Sequence, residues 1–242
     1  MTATAASGPG RSPARESGAP PGPGSGPAVR PVRVKICGIR EPAHAAAAAD
    51  AGADYVGVVF ALKLRRVTPS EASAVLEAAV GQVVGVGVFV DASIDTVLAY
   101  RDAAGFGVAQ LHGAEPPDIC ETLRTEGLGV WKAVRPGSRE ELAALYDRYA
   151  GVADGLLIEG FSPRAPGGTG TSFPHEWVDA VRADAGPEIV LAGGLDPGNV
   201  ARAIETVAPD VVDVSSGVES EPGVKSVALI RGFVEAAKGP GR

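Results

Sequence analysis

Val34-Lys35-Ile36-Cys37-Gly38-Ile39-Arg40 is the stretch on which the fold turns. It reads as a strand halted by a glycine. Side chains alternate faces along a strand, so Val34 and Ile36 share one face while Lys35 and Cys37 share the other. The apolar face suits a covering layer of helices. The opposite face carries an amine two positions before a thiol, and the thiol stands where the strand stops. In a barrel of parallel strands, that end is where chemistry is carried out.

Outward from this stretch the same unit repeats. Short β-rich runs are predicted at 32–37, 55–60, 83–90, 107–112, 129–134, 155–159, 188–192 and 210–215. Between and after them, helical spacing is predicted over Glu41–Ala51, Pro69–Ala79, Ser93–Ala104, Pro116–Thr125, Ser138–Ala150, Glu176–Ala185, Pro197–Val207 and Val224–Ala237. Several of these begin on a cap or an early proline, as at Thr68-Pro69, Glu115-Pro116 and Asp196-Pro197. Eight strand–helix units in about 210 residues match a compact (β/α)8 barrel, the TIM-barrel architecture of the α/β class. The rival is a doubly wound open sheet, which would more often have fewer strands. No Gly-x-Gly-x-x-Gly turn follows the first strand, which counts against it.

Composition narrows the function. The 242 residues carry a net charge of −7 at pH 7, which argues against a nucleic-acid surface or an anionic membrane. A local positive pocket for a small anion remains compatible with it. Cys37 and Cys120 lie far apart and suggest a reducing, cytoplasmic setting rather than a disulfide framework. There is no apolar run of about 18 residues to span a membrane, and no zinc-type Cys/His spacing, so no metal is expected. Residues 1–30 are mostly Gly, Pro, Ala and Ser without an aromatic side chain, and are expected to be a disordered tail. They lack the apolar core of a secretory signal; a start codon assigned upstream of the true one is the alternative. The barrel is expected over 31–238, with 239–242 loose.

The candidate site follows from the strand ends. Gly193 and Gly194 follow the seventh strand, and Ser216 and Gly217 follow the eighth. Glycines there let backbone N–H groups close on an anion, and strands 7 and 8 are where barrels often build a phosphate site. A lone cysteine usually packs as a small apolar group. Cys37, however, ends the first strand with Lys35 on its face. Asp213 lies on the matching face of the eighth strand, which adjoins the first in a closed barrel. Lys35 and Asp213 are therefore expected to pair, and the lysine to favour the thiolate, making Cys37 a candidate base or nucleophile. Glu159 ends the sixth strand at the rim, where a carboxyl in a partly apolar mouth can act as a general acid. Gly167-Gly168-Thr169-Gly170 beyond it reads as a mobile cover. Arg65 and Arg66 follow the second strand, either able to clamp a carboxylate or simply to sit in solvent. His112 is expected to be structural, with a proton shuttle as the alternative. His44 and His175 receive no role, and Cys120 reads as core.

These residues, taken in order, resemble phosphoribosylanthranilate isomerase. The matching motifs are Val-Lys-Ile-Cys-Gly-Ile-Arg (34–40), Ala-Gly-Ala-Asp-Tyr-Val-Gly (51–57), Val-Gly-Val-Phe-Val-Asp (86–91) and Val-Ala-Gln-Leu-His-Gly-Ala-Glu (108–115). Gly-Gly-Thr-Gly (167–170), Leu-Ala-Gly-Gly-Leu-Asp-Pro-Gly-Asn-Val (191–200) and Val-Asp-Val-Ser-Ser-Gly-Val-Glu (212–219) complete the set, which spans about residues 32–238. The resemblance implies a cofactor-free Amadori rearrangement of N-(5-phosphoribosyl)anthranilate, a phosphorylated aminosugar, in tryptophan biosynthesis or a related specialised pathway. It implies Cys37 as base, the acid of strand 6 as general acid, and the glycine loops on the phosphate. An arginine after strand 2, Arg65 or its rival Arg66, would face the anthranilate carboxylate. Asp213 matches the family's strand-8 aspartate, and with Lys35 it completes the substrate-facing set.

The family pattern has Leu-Leu-x-Asp at strand 6, whereas this chain has Glu159. The extra methylene moves the carboxyl by about 1.5 Å, and a misplacement of about 1 Å can cost about 100-fold in rate. Pro-His-Glu-Trp (174–177) also departs from the usual Phe-Asp-Trp. A catalytically silent or retargeted sugar-phosphate barrel is therefore a second reading. A barrel serving both histidine and tryptophan synthesis is a third, for which paired aspartates would be expected in place of Cys37. The sequence leaves monomer and homodimer equally open.

Overall fold

The strand holding the opening motif, β1 (Arg33–Cys37), pairs in parallel with two neighbours and closes a barrel. This computed structural model describes residues 31–61, 63–160, 175–181 and 186–239. The other barrel strands are β2 (Tyr55–Val59), β3 (Val84–Phe89), β4 (Val108–Leu111), β5 (Gly129–Val134), β6 (Gly155–Glu159), β7 (Glu188–Ala192) and β8 (Val211–Val214). They lie in sequence order around the barrel, with β8 against β1. Each falls within a residue or two of its predicted place, because β-branched runs bounded by glycine or aspartate leave little choice of register.

Alternation sorts the strand residues into two cores. Val34, Ile36, Val56, Val58, Leu156, Ile158 and Val212 point outward and pack under the helices. Tyr55, Val86, Val108, Trp131, Leu157, Val190 and Val211 fill the interior. Tyr55 and Trp131 meet edge to face, with ring centroids 4.9 Å apart. Trp131 fits because its neighbour in register is Gly155: a Cβ there would come within 2.6 Å of the indole. Cys37, Val59 and Val88 form a smaller apolar layer nearer the mouth.

The helices are α1 (Pro42–Asp50), α2 (Pro69–Glu77), α3 (Ile94–Ala104), α4 (Pro117–Thr125), α5 (Arg139–Tyr149), α6 (Val200–Val207) and α7 (Val227–Lys238). Thr68 caps α2 as expected, with Glu71 completing a reciprocal capping box and Pro69 in the first turn. Glu115 does not cap α4. Its carboxylate instead accepts from the N–H groups of Asp91 and Gly113 and pairs with Lys132 at 3.0 Å. Lys132, which the sequence left without a role, is thus a buried cation outside the barrel wall.

Three expectations are corrected. The helix predicted over Glu176–Ala185 is, in its described part, a 3-10 segment at His175–Ala180. The helix predicted from Pro197 starts at Val200, because the Asp196 carboxylate captures the N–H groups of Gly198 and Asn199 in a turn. The last helix starts three residues late. A short antiparallel pair, β9 (Glu219–Glu221) and β10 (Val224–Lys225), precedes it and turns at Gly223, where φ is +82°.

Replacing Gly155 with Ala forces a methyl into the Trp131 ring, so Gly155→Ala is expected to lose about 1–3 kcal/mol of stability in urea unfolding. An unchanged midpoint would mean that Trp131 has free space to move into.

Candidate active site

Register brings Lys35 level with Asp213 on the β1–β8 seam. The Lys35 Nζ donates to Asp213 Oδ1 at 3.0 Å and to Gln110 Oε1, from β4, at 2.7 Å. Lys35 is fully buried. Burial works against its charge, but Asp213 and Cys37 outweigh it and hold the ammonium above its usual pKa. The pair expected from sequence therefore forms, with Gln110 as a third member that the sequence reading did not assign.

Cys37 stands two residues on, at the end of β1 and 7% exposed. Gly57, opposite it in register, makes room for the sulfur: a Cβ at Gly57 would come within 2.9 Å of Sγ and 3.1 Å of Lys35 Cε. The pull of Lys35 on the thiol has the expected direction but is outweighed. Burial pushes the thiol up, and Lys35 pulls it down without prevailing, so its pKa lies above the ordinary value. The lysine alone would favour the thiolate, as the sequence suggested, but desolvation of the sulfur is the larger effect.

Glu159 shares the interior face of β6 with Leu157, and β6 is separated from β1 by β7 and β8. The mouth, expected to be partly apolar, also brings a cation to it. Arg135, just after β5, places Nε and Nη2 on Glu159 Oε2, each at 2.5 Å.

The two glycine loops meet. Gly193 and Gly194, with φ of +94° and +68°, turn the chain after β7. Gly217 lies so close under the Leu195 carbonyl that any Cβ would strike it. Asn199 Nδ2 donates to the Gly194 carbonyl at 2.8 Å and ties the first loop to α6. Among the described residues, no backbone hydrogen bond uses the N–H groups of Gly194, Ser216 or Gly217. Those donors suit an anion. The cover expected at Gly167, Gly168, Thr169 and Gly170 lies outside the described residues.

Arg65 and Arg66 separate. Arg66 is exposed on an isolated bridge to Val59. Arg65 lies against Gly38, the residue after Cys37. Its guanidinium forks onto Glu219 through Nε and Nη2, at 2.7 and 2.9 Å. Glu219 also accepts from Lys225 Nζ at 2.9 Å and from the Gly223 N–H at 3.0 Å. Lys225 in turn donates to the Ser215 carbonyl at 2.9 Å. One carboxylate thus ties the loop after β2 to the loop after β8. Sequence reading missed Glu219 as a hub, although it quoted the residue within the Val212–Glu219 motif. The Pro222-Gly223 turn pair, which returns Lys225 to it, was the available signal. Among the described residues no group of three or more His, Cys, Asp or Glu side chains could hold a metal, and no helix is long and apolar enough to cross a membrane.

A closed (β/α)8 barrel with a thiol, a carboxylate and two glycine loops at the C-terminal ends of its strands has the layout of a barrel enzyme. The sequence profile of N-(5'-phosphoribosyl)anthranilate (PRA) isomerase matches residues 34–236. The chain belongs to this isomerase family. The isomerase of Geobacter sp. (strain M21) is 44% identical over 207 residues, covering 85% of this chain and 98% of that one. That of Paracoccus denitrificans (strain Pd 1222) is 46% identical over 221 residues, covering 86% and 98%. The crystal structure of the Thermotoga maritima enzyme superposes with a TM-score of 0.74 at 34% identity, covering 86% of this chain and 98% of that one. A further isomerase structure, in complex with reduced 1-(o-carboxyphenylamino)-1-deoxyribulose 5-phosphate, gives 0.71 at 32% identity, covering 86% and 98%.

Burial alone would raise the Glu219 carboxyl, but Arg65, the Gly223 N–H and Lys225 outweigh it and hold it down at about 2. A depressed carboxyl adds stability that is complete above its ordinary value of 4.5 and lost as pH falls toward about 2. Glu219→Gln is accordingly expected to melt below the parent at neutral pH, with the gap closing as the solution is acidified through that window. A gap that stays constant with pH would show that the charge of Glu219 contributes nothing.

Proposed function

We propose that the barrel converts N-(5-phosphoribosyl)anthranilate to 1-(2-carboxyphenylamino)-1-deoxyribulose 5-phosphate without a cofactor, Glu159 acting as acid and Cys37 as base. The observation that carries these roles is the placing of both side chains on the interior face at strand ends, Cys37 directly above the buried Lys35–Asp213 pair. A related structure holding the reduced product analogue supports the substrate.

The proton of Glu159 goes to the furanose ring oxygen. The bond from C1 to that oxygen breaks as the anthranilate nitrogen supplies its lone pair, leaving an open-chain Schiff base. The Cys37 thiolate then takes the C2 proton, and the electrons of that C–H bond move to give the enolamine, which tautomerises to the ketone. Arg135 holds the Glu159 carboxylate left by the first step. Gly193, Gly194, Ser216 and Gly217 receive the phosphate through backbone N–H groups. Arg65, beside Gly38, serves the anthranilate carboxylate with the edge of its guanidinium that Glu219 leaves free, whereas Arg66 is exposed. Lys35 and Asp213 border the substrate from below. The protein works as a monomer or a homodimer, and its two free cysteines suit a reducing cytoplasm.

The Glu159–Arg135 pair also favours the second reading, a barrel that binds the sugar phosphate but does not turn it over. Fluorescence-monitored consumption of phosphoribosylanthranilate separates the two: binding without turnover would support the silent barrel. Given turnover, Glu159→Gln is expected to lose about 100- to 10,000-fold in kcat, and Glu159→Asp to keep or raise activity. A fully active Glu159→Gln would assign the proton to another group.

Cys37→Ser is expected to lose a similar factor in kcat with KM little changed, because a hydroxyl is a poor base near neutrality. Because burial raises the Cys37 thiol above its ordinary range and only its deprotonated form is a base, kcat/KM is expected to climb with pH through the neutral range. A Cys37→Ser variant with normal kcat would remove Cys37 from the mechanism, whereas a profile already flat near pH 7 would show that the thiolate is formed there despite its burial.

A further inference from the structure

Gln110 lies 1% exposed inside the barrel, between Lys35 below it and His112 two residues further along the same strand face. Its amide has one accepting end and one donating end. Lys35 Nζ carries only donors, so the end facing it at 2.7 Å must be the carbonyl Oε1. The Gln110 amide is therefore not free to flip, and its NH2 end meets His112 Nε2 in a short contact. An amide NH2 can only donate, so His112 Nε2 must be the accepting nitrogen of the ring. The proton of the imidazole then sits on Nδ1, from which no described residue accepts.

We infer that Gln110 is a positioning residue that carries the orientation of the buried Lys35 cation to His112, fixing that imidazole in its neutral, Nδ1-protonated form as a hydrogen-bond donor for an acceptor oxygen of the bound aminosugar. The inference rests on the proposed isomerase reading for its substrate, but not for its wiring. An imidazolium would turn a second N–H against the amide NH2, with Lys35 on β1, Arg135 after β5 and Lys132 on β5 adding like charge and Asp213 on β8 opposing. Burial, with these cations, lowers the His112 pKa to about 4, in keeping with a ring that stays neutral. The inference departs from the expectation that His112 is structural: its ring state would follow from a chain running from Asp213 through Lys35 and Gln110.

The test is NMR of the full-length protein labelled with 15N-histidine, at pH 7 and without substrate. The His112 ring signals are assigned by their loss in His112→Asn. Nδ1 is expected to be protonated and Nε2 bare. In Gln110→Glu the new carboxylate accepts from Lys35 and also from His112, so the ring should gain a proton on Nε2, and kcat should fall at least about tenfold while KM changes less. A wild-type ring protonated on Nε2 would overturn the inference. So would a Gln110→Glu variant that keeps the bare Nε2, or one whose ring changes with kcat intact. If the wild type shows no turnover, the isomerase reading fails instead, and the resting tautomer still decides the wiring.

Discussion

A lysine ammonium with no solvent contact needs a counter-charge, and here it finds one only where the barrel closes. Lys35 on the first strand reaches Asp213 on the last, level in register and 3.0 Å apart. Removing one partner of such a pair costs about 3–5 kcal/mol, because the other is left charged and dry. A slip of β8 by one residue would turn Asp213 outward among the helices. The pair therefore acts on register as well as on charge, and it places a fixed cation directly beneath the thiol at the mouth.

Two consequences radiate from that seam. Toward β4, the Lys35 cation orients Gln110 and, through it, His112. Toward the mouth, it partly offsets the desolvation of Cys37. A further buried ion cluster, around Glu219, does comparable work at the strand ends. It braces the arginine beside Gly38 and, through Lys225, the turn at Ser215 that leads into Ser216 and Gly217. The two ends proposed to hold the substrate, anthranilate and phosphate, are thus held by one carboxylate.

Much of this was legible in the chain. Strand positions followed from β-branched runs with glycine stops, and the interior face of β1 from simple alternation, which put Lys35, Cys37 and Asp213 in one place. The Thr68–Glu71 capping box was announced by Thr-Pro before an alanine-rich run. Helix starts that depended on a side chain turning back on the backbone were not legible. Asp196 and Glu115 each spend their carboxylates on N–H groups whose proximity the local pattern does not reveal.

By itself the sequence determined the barrel class, the order of its strands, the family, and which side chains end each strand on the inner face, since period-2 alternation and glycine stops are local properties. Only the tertiary structure decided which of those groups meet. Desolvation outweighs Lys35 at Cys37, Glu219 occupies the fork of Arg65, Arg135 reaches Glu159, and Gln110 joins Lys35 to His112. Each of these depends on what other strands and loops bring around the group. Its strength depends on burial and on distances of a few ångströms, which alternation along a single strand does not encode.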